Sequence, residues 1–136
     1  MSASPETVLS FDFGTLRIGV AVGNSVAGSA QPLEVIEGEA ADRRFARISS
    51  LIAQWQPQRL VVGRPVNEDG TDIPMTARAD RFARQLHGRF GLPVSRVDER
   101  FSSKAAASAV GRGQADDAVA AAIILRQYFD EQEAKP

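Results

Sequence analysis

Apolar residues recur along this chain with two periods, and together they predict a sequence of strands and helices. Val8 to Phe13 is nearly continuously apolar, which predicts a strand buried on both faces. Gly14 and Thr15 make a turn. Arg17 to Val22 then alternates, with Ile18, Val20 and Val22 set against Gly19 and Ala21. That is the period of a hairpin strand. Its small face lets another backbone or a ligand approach closely. A third strand is predicted near Gly28 to Ile36, and Pro32 places it at a sheet edge. Phe45, Ile48, Ile52 and Trp55 recur at three- and four-residue steps, predicting a helix over Asp42 to Trp55 that Pro57 ends. Arg59 to Val62 is a short apolar run suited to a central parallel strand. The polar loop GRPVNEDGTDIP follows. Met75, Ala79, Phe82 and Leu86 mark a second helix, with Thr71 or Asp72 as cap and Pro74 in its first turn. Gly91 and Pro93 stop it, and Val94 to Asp98 is a strand. Ser102 or Ser103 caps a short helix through Val110, and Gly111 and Gly113 break the chain. Asp116 to Phe129 forms the last helix, apolar over a broad face (Val119, Ala120, Ile123, Ile124, Tyr128).

The order is β-β-β-α-β-α-β-α-α. An antiparallel three-strand start followed by crossovers gives an α/β fold: a mixed five-stranded sheet with helices on both faces. All 136 residues fit one domain, with an ordered core over about 7–131. Composition adds exclusions. There is no cysteine, hence no disulfide framework, zinc–thiolate site or thiol nucleophile. No apolar run approaches the roughly 20 residues of a membrane span, and MSASPET lacks the regions of a signal peptide. A cytoplasmic protein without membrane attachment is expected. The net charge of −1 argues against coating nucleic acid through bulk positive charge. It leaves room for an enzyme that places a few arginines locally.

The candidate chemistry lies in three acids from three separate contexts: Asp12, Glu99 and Asp117. In open α/β sheets, ligands bind beyond the carboxyl ends of parallel strands. Asp12 and Glu99 fall at two such ends, and Asp117 falls in the first turn of the last helix. If they converge, their oxygens suit Mg2+ or Mn2+ and phosphodiester hydrolysis. Each has a plainer explanation. Asp12 could bond its own turn, although a carboxylate between Phe11 and Phe13 is costly to bury without a partner. Asp98 and Glu99 alternate across a strand, so only one can face the site, and either could pair with Arg96 or Arg100. Asp116 and Asp117 could simply complement a helix dipole. Gly63 and Gly70 could turn backbone amides toward a phosphate. Arg17, Arg64 and Arg100 lie near predicted strand ends on this edge and could bind substrate phosphate bidentately. His87 falls late in a helix and reads as a surface residue.

Four segments, FDFGTLRIGVAVG, LVVGRPVNEDG, VDERFSS and DDAVAAAIILRQYFD, resemble in order and spacing the YqgF/RuvX family, relatives of the RuvC-type Holliday-junction resolvases with an RNase H-like fold. The resemblance spans about residues 7 to 131. It implies a cytoplasmic nuclease that trims the 5′ end of pre-16S rRNA in ribosome maturation. It also implies that Asp12, Glu99 and Asp117 hold the metal, that Gly14, Arg17 and Gly19 shape the first loop, and that Arg100 belongs to the substrate edge. It favours Glu99 over Asp98. Two features depart from the family pattern. Leu16 stands where a basic residue is usual, and the loop before the last helix is only GRGQA, with Arg112 its sole charge. Each lost phosphate contact weakens backbone binding without changing the chemistry. A ribosomal precursor particle or a second subunit would then supply positive surface.

Three other functions compete. Junction-DNA resolution would use the same carboxylates but needs two sites at once, hence a homodimer rather than a monomer. The FDFGT segment also resembles the first phosphate loop of sugar kinases and actin-like ATPases, which need two such domains. A non-catalytic ribosome-assembly factor would retain the acids for structure alone.

Overall fold

The structure is a computed structural model that describes the backbone of residues 5–99 and 114–134, with side chains over 5–99 and 117–133. Strands β1 (Thr7–Phe13), β2 (Arg17–Asn24) and β3 (Ser29–Glu37) come first. Helix α1 (Ala41–Trp55), strand β4 (Arg59–Arg64), helix α2 (Pro74–Phe90), strand β5 (Val94–Asp98) and helix α3 (Gln114–Ala134) follow. The strands form one sheet in the order β3-β2-β1-β4-β5. β1–β2 and β2–β3 are antiparallel, whereas β1–β4 and β4–β5 are parallel. The predicted fold class and strand directions hold. The short helix expected after Ser102 or Ser103 lies outside the described residues.

Side-chain alternation divides the core in two. Leu9, Phe11, Ile18, Val20, Leu60 and Val62 point to one face and pack with Phe45, Ile48 and Leu51 of α1 and Phe82 and Leu86 of α2. Val8, Ala21, Val61 and Val97 point to the other face and pack with Ala121, Ile124, Leu125 and Phe129 of α3. The α3 face of the sheet is built from small residues. Ser10, fully buried, donates its hydroxyl to the Ala121 carbonyl at 2.7 Å, fixing the height of α3 over β1. Pro32 lies in β3, which is an edge strand as expected.

Helix ends follow local chemistry. α1 stops at Trp55, and Gln56, held left-handed at φ 48°, precedes Pro57, which disfavours helix at that position. Gly91, at φ 68°, closes α2 with its N–H on the His87 carbonyl at 2.9 Å. The start of α2 differs from expectation: its cap is Ile73, not Thr71 or Asp72. Those two are engaged in the preceding loop. Thr71 bonds Asp69, and Asp72 bonds Arg64. Thr76 substitutes for a side-chain cap. Its Oγ1 accepts from the Ile73 N–H at 2.9 Å and donates to the Pro65 carbonyl. α3 runs beyond both ends of the predicted Asp116–Phe129 span. No helix among the described residues is long and apolar enough to cross a membrane.

Candidate active site

Asp12 is the penultimate residue of β1. Ser10, two residues earlier, touches α3, so alternation puts Asp12 on the α3 face as well. Its antiparallel partner on β2 is Gly19. On its other side the parallel register with β4 runs Leu9↔Leu60 to Phe11↔Val62, so the next step brings Gly63 alongside Asp12. The aspartate therefore stands between two positions that carry no side chain.

Both bare positions are filled from elsewhere. A Cβ on Gly19 would stand 1.9 Å from the Asp117 carbonyl oxygen, so the first turns of α3 lie directly on this glycine. A Cβ on Gly63 would stand 2.6 Å from Glu99 Oε1 and 2.6 Å from Ile124 Cδ1. Three distant segments thus converge on one stretch of the sheet, beside the carboxyl ends of β1, β4 and β5. The close approach predicted for the small face of the β1–β2 hairpin is made by the main chain of Asp117.

The geometry also separates Asp98 from Glu99. Asp98 pairs in register with Arg64, whereas the Glu99 carboxylate lies over Gly63, on the α3 face. Neither Asp12 nor Glu99 stands without a polar partner. Asp117 accepts from Arg17 Nε through Oδ2 at 2.7 Å, in a pair with side-chain exposures of 29% and 41%. Among the described residues, no three acidic or histidine side chains are grouped so that they could share one ion. The segments meet at Asp12, while the Asp117 carboxylate is directed to Arg17.

The arginines expected to bind substrate separate. Arg17 is on the Asp12 edge, at the start of β2. Arg64 follows Gly63 and faces the opposite side of the sheet. Its Nε bonds Asp80 at 3.1 Å and its Nη2 bonds Asp72 at 3.3 Å, with Arg96 also on Asp80 at 3.2 Å. The hydrogen bond to Asp80 holds the Arg64 pKa above its ordinary value, with further support from the charges of Asp80 and Asp72. Arg64 thus tethers β4 to α2 and does not join the acids. Arg100 lies outside the described residues. The amides expected to cradle phosphate are also taken: Gly70 N–H bonds the Asn67 carbonyl, and Gly63 sits in the β4 ladder. Gly63 serves by lacking a side chain. In sequence its place, one residue beyond a continuous apolar run, did not separate that role from a turn. His87 is exposed, with Nδ1 2.9 Å from the Leu92 carbonyl oxygen.

Residues 6–131 match the family model described as RuvX, Holliday junction resolvase. The chain belongs to the RuvX family. RuvX relatives from Bordetella, Ralstonia and Paraburkholderia carry the curated name "Putative pre-16S rRNA nuclease". That of Bordetella parapertussis is 56% identical over 125 residues, covering 92% of this chain and 94% of the relative. That of Ralstonia nicotianae is 53% identical over 128 residues, covering 94% and 89%. Among solved structures, Thermus thermophilus RuvC in complex with a Holliday junction substrate superposes with a TM-score of 0.62 at 18% identity, over 94% of this chain and 96% of that one. At that identity the likeness establishes the fold, which is that of RuvC. The RuvX resemblance noted in the sequence therefore holds over nearly the whole chain.

Proposed function

We propose that this RuvX protein is a metal-dependent nuclease that hydrolyses phosphodiester bonds in RNA, and that it processes the 5′ end of pre-16S rRNA in the cytoplasm. One observation carries the reading. Asp12 stands between Gly19 and Gly63, and those two glycines admit Asp117 from one side and the Glu99 carboxylate from the other. The names of the RuvX relatives supply the substrate.

The donor chemistry suits a divalent ion once the Asp117 carboxylate turns from Arg17. Every donor is a carboxylate oxygen, the hard ligand that Mg2+ and Mn2+ prefer, and the glycines let α3 and the Glu99 side chain close in beside Asp12. Asp12, Glu99 and Asp117 would hold it. When bound, the ion would supply Lewis acidity to the phosphate and lower the pKa of the attacking water. Asp117 would join by exchanging its link to Arg17. A part-exposed ion pair is worth about 1 kcal/mol or less, a small cost beside carboxylate–metal binding. Arg17, once released, would be placed at the same edge to receive a substrate phosphate.

The test is cleavage of a precursor-rRNA 5′ fragment with Mg2+ or Mn2+. Asp12→Asn keeps the shape of the side chain and should lower the rate by about a hundredfold or more, the scale seen when one charge-stabilising group is removed. Wild-type rates in this variant would reject the assignment. The description of the family model favours a second reading, resolution of four-way DNA junctions. That reaction needs two sites at once, so sedimentation showing only a monomer with junction DNA present would count against it.

A further inference from the structure

On the face of the sheet opposite Asp12 lies a cavity of about 580 Å³. It opens where β1 ends and α1 begins, walled on its other side by α2. Phe13 and Thr15 contribute from the hairpin, Arg44 from α1, and Arg78 and Arg81 from α2. Crevices beyond the carboxyl ends of strands are the usual ligand sites of such sheets.

Arg44 is the unusual member, with only 7% of its surface exposed. Its Nε donates to the Gly38 carbonyl at 2.6 Å, and its Nη2 donates to the carbonyls of Gly14 at 2.8 Å and Thr15 at 2.6 Å. Nη1 has no hydrogen bond to a described residue, although the side chain lines the cavity. These carbonyls orient the guanidinium but bring no full negative charge. Burial lowers the Arg44 pKa from its ordinary value, and the charge of Glu39 only opposes this. Arg78 and Arg81 are exposed and make no ion pair among the described residues. The lining therefore holds three guanidiniums against one carboxylate, above a floor formed by Phe13, Phe45 and Phe82. The partial positive charge at the start of α1 adds to the same field.

We propose that this cavity is a second phosphate subsite, holding a phosphodiester of a single-stranded nucleic acid a few nucleotides from the bond that is cut. The choice of a strand as ligand rests on the nuclease reading; the attraction for phosphate rests on the lining alone. Continuity favours a strand. Phe13 directly follows Asp12, and only the Gly14–Thr15 turn separates the two faces at this edge. Arg89, whose guanidinium lies over the Phe45 ring, extends the positive surface along α2 beyond the cavity. Arginine suits the task because its planar fork grips phosphate bidentately.

The test is binding of a short fluorescein-labelled single-stranded RNA, read by anisotropy over a salt series with divalent ions chelated. The double variant Arg78→Glu, Arg81→Glu should bind about tenfold or more weakly, and its salt slope should shrink by roughly 0.7, the share of one lost phosphate contact. Arg84→Glu changes the same kind of charge on the same helix but outside the cavity, and should change affinity by about threefold at most. The response of melting temperature to Mn2+ should be unchanged in the double variant, showing that the carboxylate site is intact. An unchanged salt slope, or a loss per charge equal to that of Arg84→Glu, would overturn the proposal. Titration with AMP separates the sources of phosphate. AMP binding that the double variant abolishes, with RNA affinity unaltered, would assign the cavity to a free nucleotide and overturn the strand. A wild-type protein that binds RNA as expected but cuts none would reject the nuclease reading and leave this subsite standing.

Discussion

Gly19 and Gly63 look equivalent in sequence, yet they meet different atoms. The obstacle at Gly19 is the Asp117 carbonyl, part of a helix that cannot yield locally. Gly19→Ala should therefore destabilise the fold by about 1–3 kcal/mol, the usual range for overpacking, as read by urea denaturation. At Gly63 the obstacles are the ends of two side chains, Glu99 and Ile124, which can rotate away. Gly63→Ala should cost less stability but displace the Glu99 carboxylate, lowering Mn2+ affinity in calorimetric titration. Equal losses of stability with unaltered Mn2+ binding would contradict this account. The convergence itself was only partly legible in the sequence. Asp12 stood out because a carboxylate between two phenylalanines in a buried strand needs a reason. The small face of β2 announced a close neighbour. Gly63 did not announce its purpose, because a glycine at a strand end equally suits a turn. Arg64 misled for a related reason. Adjacent residues of a strand face opposite ways, so lying next to Gly63 put its guanidinium on the far side.

At the scale of elements, α3 settles on the sheet through small side chains. Ser10 sits at zero exposure, with its hydroxyl on a helix carbonyl. Ser10→Ala should cost about 1 kcal/mol, the net worth of a typical hydrogen bond. Ser10→Val should cost more, because a branched side chain at this contact lifts the helix from β1. Thermal denaturation of both variants would show the order, and a reversed order would mean that α3 is not seated by this contact. Strand directions and helix faces were readable because the apolar pattern is strong in β1, β2, β4, α1 and α2. The cap of α2 was not. Thr71 and Asp72 have good capping chemistry, but the loop before Pro74 engages them with Asp69 and Arg64. Arg44 also escaped notice. One arginine on an amphipathic helix reads as solvated, and only the fold reveals the three carbonyls it joins, two in the hairpin turn and one after β3.

At the scale of the molecule, the sheet presents an acidic face and a basic face at one edge. The net charge of −1 conceals this division, so bulk charge was a poor guide to affinity for nucleic acid. An ion bound only by the folded state raises stability by mass action. Mn2+ at about a hundred times its dissociation constant should add about 2.7 kcal/mol, a rise of about 8 °C for a domain of this size. Differential scanning fluorimetry would detect it, and Asp12→Asn should abolish most of it. No shift at saturating Mn2+ would favour a protein that only docks on its partner. The two glycines beside Asp12 bear on how such a catalyst can change over time. A hollow made by omission has no smaller residue left to try, so every mutation at either position fills it. New preferences for substrate must then arise on the rim, at exposed residues such as Thr15 and Leu16, while the centre stays as it is.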